Sequence, residues 1–366
     1  MTGRSETDLK GAAGRRRAGE RGPETRIIGS GGVSLRVHVP SALLGAALSV
    51  LAAATAVLSL AVGDFAMGVD QVVAALAGRA DLLTTHVVVD LRLPRVLTAL
   101  GVGAALALSG GLLQRLAHNP LVSPDIIGVG AGATAAAVLT IVVFGGSAAA
   151  IASGALVGAV TTALLLYLLA YRRGISGQRL VLVGIAVTAM LSAVTSYLLT
   201  RAEIGTAQRA MIWITGSLAN RDWAHVATIL LALVVLAPAV FALARPLGLL
   251  QFGEETATAL GNRAALSRGA LLFTAAALAA MATAVAGPVA FVALVAPQIV
   301  RRMLRGRAVG LFPAAACGGV LVAVSDLIAR TAFGGSELPV GVVTGILGAP
   351  YLLYLLARSN RTGRGG

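Results

Sequence analysis

Few side chains in this sequence could carry chemistry, and one carboxylate is notable because it lies within an apolar segment. Asp326 is followed four residues later by Arg330, so in a helix the two side chains share one face and can form an ion pair. A carboxylate within a membrane span is costly unless it is paired, and it usually marks an interior or functional position. Two interpretations stay open: a pair that stabilises one helix end, or a functional charge.

The chain lacks the common catalytic and nucleotide-binding patterns. Lys10 is the only lysine and lies in a polar tail, so the Walker A pattern G-x-x-x-x-G-K-[ST] is absent. Cys317 is the only cysteine and the four histidines are scattered, which gives neither a thiolate cluster nor a recognisable ligand spacing. We therefore expect no enzymatic activity from this chain, no metal centre and no cofactor; any enzymatic activity would come from another subunit.

The elements that position these residues are predicted to be membrane-spanning helices. Of the 366 residues, 57% are hydrophobic and 12% charged, which is about half the charged share of a soluble domain. Many apolar runs reach about 20 residues, the length that crosses a bilayer core as a helix. The sequence predicts an all-α polytopic membrane protein with about ten transmembrane helices, at residues 41–62, 93–116, 126–144, 148–170, 180–199, 223–243, 265–286, 289–303, 308–329 and 340–357.

Arginines indicate the orientation of these spans. The net charge is +14, and arginines concentrate in both tails and in the connections after the fourth, sixth and eighth spans, as expected of cytoplasmic segments. We therefore expect both termini in the cytoplasm and no nucleic-acid partner. Residues 1–40 are polar without apolar periodicity, which predicts a disordered cytoplasmic tail. Residues 41–357 then form the ten-helix transmembrane domain, and residues 358–366 form a second cytoplasmic tail.

The stretch from residue 91 to residue 133 combines several unusual features. It opens with the pattern Arg-Leu-Pro-Arg, and a polar break at residues 118–120 ends its apolar run. Small residues recur at every fourth position within that run, at Gly103, Ala107 and Gly111. Such a stripe allows the backbone of a neighbouring helix to approach closely. We interpret this helix as part of a translocation path.

Four separated motifs resemble, in order, those of the FecCD family, the membrane permeases of ATP-driven importers for ferric siderophores, haem and cobalamin. They are RLPR to GVGAGA at 92–133, GEETATALG at 253–261, GPVAFVALVAPQIVR at 287–301, and SDLIAR with ELPVGVVT between 325 and 344. The resemblance covers residues 41–357, the permease domain. Gln298 stands where the family commonly has histidine and Ala293 where it has glycine, so neither receives a special role.

The resemblance implies roles for three groups of residues. The family's coupling loop, which sits in a groove of the ATPase, corresponds to Glu254, Glu255, Ala259, Leu260 and Gly261. Arginines that receive acidic residues of the substrate-binding protein correspond to Arg92, Arg95 and Arg330. Anchoring at the membrane interface is the alternative for these arginines. The cytoplasmic gate corresponds to Ser176, Gly177 and Gln178, for which an ordinary turn is equally consistent.

The resemblance further implies an importer assembly in the bacterial plasma (inner) membrane. It predicts a second permease (homodimer or paralogue heterodimer), two ABC ATPase subunits, an extracytoplasmic substrate-binding protein and surrounding membrane lipid. The expected cargo is a ferric-siderophore complex, with haem or cobalamin as alternatives. An ion-coupled secondary transporter is the alternative from another class, although Asp326 and Arg330 give it few charges for ion coupling. A scaffold without transport is disfavoured by the coupling-loop motif.

Overall fold

The computed structural model describes residues 25–30, 33–63, 65, 67–170, 177–305, 310–332 and 337–362. Helices make up almost all of these ranges. In chain order they are α1 Val39–Ala61, α2 Val69–Leu76, α3 Leu82–Thr85, α4 Leu93–Leu116, α5 Val129–Phe144, α6 Ala148–Ala170, α7 Gly177–Arg201, α8 Ile204–Ile214, α9 Trp223–Ala242, α10 Ala244–Leu250, α11 Glu254–Ala259, α12 Ala264–Ala286, α13 Val292–Met303, α14 Leu311–Thr331 and α15 Val340–Thr362. A π-helical segment, His86–Arg92, joins α3 to α4.

A short hairpin precedes α1. Strand β1, Thr25–Ser30, pairs antiparallel with β2, Val33–His38, and α1 follows β2 directly. This hairpin was not predicted, although Val33, Leu35 and Val37 alternate with polar residues, a period of two that favours a strand. The rest of the predicted tail, residues 1–24, lies outside the described residues.

Each of the ten predicted spans contains a helix. Seven helical stretches are long and apolar enough to cross a membrane, at Val39–Ala61, Leu82–Leu116, Ala148–Leu169, Val181–Arg201, Trp223–Ala242, Ala264–Ala286 and Leu311–Thr331. Two apolar helices are shorter, at Val129–Phe144 and Val340–Tyr354, and α13 has twelve residues. The structure therefore confirms a helical protein with several apolar spans, while ten crossings stay a prediction.

Helices α5 and α13 start later than predicted because the backbone turns before them. Gly128, immediately before α5, has a left-handed φ of 91°, which glycine adopts without the steric cost that a Cβ brings. Phe291, immediately before α13, has a φ of 67°, in the same left-handed region. A left-handed residue interrupts the helical hydrogen-bond ladder. The predicted spans 126–144 and 289–303 are each shortened by three residues for this reason.

Helix α4 lies at the centre of the bundle. It packs against α14, α12, α13 and α9. In its apolar 18-residue segment 83% of the residues are buried, whereas the corresponding share in α7 is 11%. Its buried Ser109 hydroxyl donates a hydrogen bond of 2.6 Å to the Ala275 carbonyl of α12, which satisfies a polar group that apolar surroundings would otherwise penalise. The centre of the fold is therefore a helix that lipid does not reach.

The small-residue stripe of α4 is a packing surface for α14. A Cβ added at Gly103 would overlap the carbonyl of Gly318, and one added at Gly318 would overlap the backbone of Gly103. Ala107 is fully buried beside this contact. The predicted close approach of a neighbouring helix is confirmed. Because α14 fills this face, α4 is a core element of the chain, and the place of this helix in a translocation path stays a prediction.

We predict that Gly103→Val destabilises the protein by about 1–3 kcal/mol or more, because the added side chain must separate two helix backbones. The measurement is the thermal unfolding midpoint of the detergent-purified chain. Gly205→Val is the matched control, since a Cβ at Gly205 in α8 meets nothing within 4 Å. Equal midpoints for the two variants would contradict the close α4–α14 contact.

Candidate functional site

The predicted site residues fall at two opposite ends of the bundle. Arg95 is at the start of α4 and Arg115 near its finish, about 30 Å apart at 1.5 Å per residue. We call the end with Arg95, Asp326 and Glu337 the Arg95 end. We call the end with Arg115 and α11 the Glu254 end.

At the Arg95 end, one guanidinium bridges two carboxylates. Nε and Nη2 of Arg95 donate to Oδ1 of Asp326 at 3.1 and 3.0 Å, and Nη1 donates to Oε2 of Glu337 at 3.0 Å. Asp326 is 1% exposed, whereas the Glu337 side chain is half-exposed. The paired hydrogen bonds of a guanidinium to one carboxylate are both strong and directional. They join α4 to α14 and to the residues before α15.

Arg330 completes the environment of the buried carboxylate. Its Nε lies 3.4 Å from Oδ2 of Asp326, as the four-residue spacing predicted. Its Nη2 donates to Oγ of Ser59 in α1 at 2.6 Å and to the Ser59 carbonyl at 3.1 Å. The intrahelical pair is therefore one half of the arrangement. The other half, Arg95, lies 231 positions away in the sequence, and local spacing could not reveal it.

Arg92 is directed into the protein. The residue is buried, and its two terminal nitrogens donate to the carbonyls of Leu60 at 2.6 Å and Phe65 at 2.7 Å. Leu60 belongs to the last turn of α1, whose carbonyls lack intrahelical partners. Arg92 therefore caps α1 across space.

All three arginines assigned to binding-protein docking thus have partners within the chain. Their side chains are largely covered, with Arg95 at 12% exposure and Arg330 lower still. These contacts join helices within the chain, whereas an arginine that anchors by snorkelling extends to the membrane interface. The docking role itself stays a prediction.

A further arginine at this end was missed by sequence reasoning. Arg221 is close enough to Arg95 for the two charges to repel each other, and burial lowers the pKa of its guanidinium. It donates to the Ser217 carbonyl at 3.1 Å.

The neighbouring Asp222 caps the start of α9. Its carboxylate accepts hydrogen bonds from the backbone N–H groups of Ala224 and His225. The hydrogen bond with the His225 ring, together with these backbone bonds, lowers the pKa of the Asp222 carboxyl. The sequence signal for this helix cap was Asp222, followed three residues later by His225, at the start of an apolar run.

The Glu254 end presents a short helix between two glycines. Gly253 and Gly261 have positive φ values of 98° and 81°, and α11 lies between them. Ala257 is buried against the bundle, and Glu254 forms a 3.0 Å ion pair with Arg268 of α12. These two contacts fix the position of α11 on the protein.

The remaining coupling residues face outward from this anchored helix. Glu255, Ala259 and Gly261 are exposed, and Leu260 is 61% exposed. Phe252, immediately before Gly253, is also exposed. A rigidly held helix that shows apolar side chains and a carboxylate has the composition of a protein-docking surface. The geometry is compatible with the predicted role and separates Glu254, which is partly internal, from Glu255, which is not.

The predicted gate residues can be placed only in part. Ser176 lies outside the described residues. Gly177 and Gln178 begin α7, and the structure describes their backbone alone. The gate assignment therefore stays a prediction.

Metal-binding groups are dispersed. Within the described ranges no three His, Cys, Asp or Glu side chains come together in an arrangement that could hold a metal ion. Cys317 is buried in α14.

These features define a helical membrane protein with a charged network at one end and an exposed short helix at the other. Comparison with known proteins agrees, because the model of the FecCD transport family matches residues 41–358. The chain belongs to the FecCD transport family. It is a transport permease of ABC importers, in which ATPase activity resides in separate subunits.

Individual relatives extend this result. The chain is 44% identical over 299 residues to the ferric enterobactin transport system permease protein of Escherichia coli (strain K12), covering 82% of this chain and 91% of that protein. It is 39% identical over 311 residues to the achromobactin transport system permease protein of Dickeya dadantii (strain 3937), covering 84% and 89%. A solved structure described as a metal-chelate type ABC transporter in an inward-facing conformation has a TM-score of 0.78 at 30% identity, covering 87% of this chain and 99% of that one.

We predict that Arg95→Met destabilises the protein by about 3–5 kcal/mol, because it removes one of the partners of a buried carboxylate. In a double-mutant cycle with Asp326→Asn, the two losses should fall short of additivity by about 1 kcal/mol or more. The measurement is the free energy of unfolding, obtained by titrating the purified chain with a denaturing detergent.

Arg209→Met is the control, since Arg209 is exposed in α8 and should change stability by no more than about 0.5 kcal/mol. Additive effects of Arg95→Met and Asp326→Asn would contradict the network. Unchanged stability together with lost capture of the binding protein would instead assign Arg95 to docking.

Proposed function

We propose that this chain is the membrane subunit through which a ferric-siderophore complex enters the cell, driven by separate ATPase subunits and supplied by an extracytoplasmic binding protein. The observation that carries the proposal is the 44% identity to the ferric enterobactin permease over most of both chains. The absence of a metal-ligating cluster among the described residues supports a cargo that stays chelated. A site that strips the ion would need soft or imidazole ligands gathered in one place.

Haem and cobalamin remain the alternatives within the same importer class. The ion-coupled secondary transporter is not favoured, because Asp326 is held between Arg95 and Arg330. A carboxylate engaged by two guanidiniums is poorly suited to bind and release a coupling ion at each cycle.

We propose that the Glu254 end is cytoplasmic, in the plasma (inner) membrane. Exposed arginines of this end support that orientation, at Arg245, Arg263, Arg301 and Arg302. Basic residues near span ends retain those ends in the cytoplasm. The same orientation presents α11 to the ATPase and the Arg95 end to the binding protein.

We propose that α7 packs against a second permease, either an identical chain or a paralogue. Only 11% of the residues in its apolar 18-residue segment are buried within this chain. Its exposed residues include a run of small side chains at Ala186, Ala189, Ala193 and Ser196. Small residues at helical spacing favour close association of helices in a bilayer, whereas lipid contact alone favours larger apolar side chains. Two permeases joined in this way would enclose the path between them.

The substrate class is tested by uptake in a host that lacks its own copy of this permease and carries the matching ATPase and binding protein. We expect uptake of iron from ferric enterobactin or a related siderophore, restored by the wild-type chain, with labelled haem and cobalamin as matched controls. Restored uptake of haem or cobalamin without siderophore uptake would contradict the proposed cargo.

We predict that Glu255→Ala lowers ATPase capture and uptake about tenfold or more, as expected when a central docking contact is lost. Glu255 is the cleaner test than Glu254, whose removal also breaks the ion pair with Arg268. The measurement is the amount of ATPase that co-purifies with the chain. Glu203→Ala is the matched control, an exposed carboxylate before α8. Full capture by the Glu255 variant would remove the coupling assignment.

We predict that a photo-crosslinking amino acid at Met190 of α7 captures a second permease. Met190 is 56% exposed in this chain and would be covered in the dimer. The control position is Val235 of α9, which is 61% exposed and is expected to face lipid. The measurement is a product of permease-dimer mass in membranes, identified by peptide sequencing. Crosslinks from Val235 but not from Met190 would place the interface elsewhere.

A further inference from the structure

A cavity of about 510 Å³ opens at the Glu254 end, inside this one chain. Its walls come from the end of α4 and the following loop, from α10, from α13 and from the start of α14. It is therefore separate from the exposed face of α7 and from the outward side of α11. None of the roles assigned above uses it.

The lining of the cavity is polar and positively charged. It includes Arg115 of α4 and Arg301 of α13, whose charges repel each other, together with His118 and Gln251. Among the described residues that line it there is no carboxylate. Two guanidiniums that line one open cavity raise its electrostatic potential, and an anion that lies between them offsets their repulsion.

The wall between the two arginines is held by an amide pair. Nε2 of Gln298 donates to Oε1 of Gln114 at 2.5 Å, and Nε2 of Gln114 donates to the Leu294 carbonyl at 3.0 Å. Both glutamines are buried. Because these hydrogen bonds join α4 to α13 beside the cavity, they hold the backbone positions of Arg115, one residue after Gln114, and of Arg301, three residues after Gln298. Fixed backbone positions lower the entropic cost of bringing both guanidiniums to one anion.

The depth of the cavity indicates the anion. Arg115 lies about 30 Å along α4 from Arg95, which is the thickness of the hydrocarbon core. Arg115 is in the last turn of this apolar helix, the part of a span that approaches the lipid headgroups. Guanidinium groups match phosphate oxygens in geometry and charge.

We propose that this cavity binds a phosphate group between Arg115 and Arg301, supplied by an anionic phospholipid or by a soluble phosphate compound. The bound group would join α4 and α13 to α10. Gln251 in its lining directly precedes the residues that lead into α11, so occupancy would also steady the base of the docking helix. That consequence rests on the proposed function, whereas the binding itself does not.

The test uses the purified full chain, delipidated in neutral detergent. One arm titrates inorganic phosphate, and the other adds dioleoyl phosphatidylglycerol or, for comparison, zwitterionic dioleoyl phosphatidylcholine. The readouts are the thermal unfolding midpoint and lipid retention in native mass spectrometry. Saturable binding of phosphatidylglycerol alone identifies a lipid source, and saturable binding of inorganic phosphate identifies a soluble one. Either result supports the proposal.

Two variants locate the site. Arg301→Gln should weaken binding about tenfold or more, the loss expected for one charge-assisted hydrogen bond. Gly248→Leu should block binding while every charge is kept, because Gly248 lines the cavity and a Cβ there meets nothing within 4 Å. Arg245→Gln is the matched control, an exposed arginine of α10 outside the lining.

The proposal is overturned if neither probe binds the wild-type chain. It is also overturned if Arg301→Gln and Gly248→Leu both bind as well as the Arg245→Gln control. Because these readouts need neither ATPase nor transport, their failure would leave the proposed function in place, and a failure of transport would leave the binding result in place.

Discussion

The buried carboxylate of Asp326 is the interaction on which the Arg95 end depends. At 1% exposure it has lost its hydration, a cost of several kcal/mol that only opposite charge and good hydrogen bonds offset. Arg95 and Arg330 supply both, and each is itself held by a second group, Glu337 and Ser59 respectively. One carboxylate therefore sets the relative positions of α1, α4, α14 and the chain before α15.

The ionic network and the glycine contact reinforce each other along one pair of helices. Gly103 lies about two turns beyond Arg95 in α4, and Gly318 lies about two turns before Asp326 in α14. The helices are therefore antiparallel, and both contacts require the same register. In a bilayer the hydrophobic effect does little to bring helices together, because lipid is as apolar as the side chains. Close backbone packing and a shielded ion pair replace it here.

The centre of the bundle is packed within the chain, whereas two helices at its edges expose apolar side chains. The buried Ser109 of α4 is paired within the chain through its hydrogen bond to the Ala275 carbonyl. Helix α7 and the outward side of α11 expose apolar residues instead. A protein of this family works as part of an assembly, and these are the surfaces that we propose the other subunits cover. Rigid anchoring of α11 through Ala257 and Arg268 would let movement at its exposed side reach the bundle.

Sequence alone determined the class of protein, the family and the approximate limits of the apolar helices. Those inferences depend on local properties, such as the length of an apolar run, the four-residue spacing of Asp326 and Arg330, and motifs read in chain order. They failed locally at residues 25–38, where a period of two was overlooked, and at α5 and α13, where a left-handed residue delays the helix.

Tertiary structure decided how distant residues are paired. That Arg95 reaches Asp326, that Arg92 caps α1, and that α14 covers the small-residue stripe of α4 all depend on which helices become neighbours. The same is true of the cavity beside Arg115 and Arg301. No spacing in the sequence encodes these contacts, because they join segments as much as 231 positions apart, and the packing of the whole bundle selects among many partners with the same local pattern.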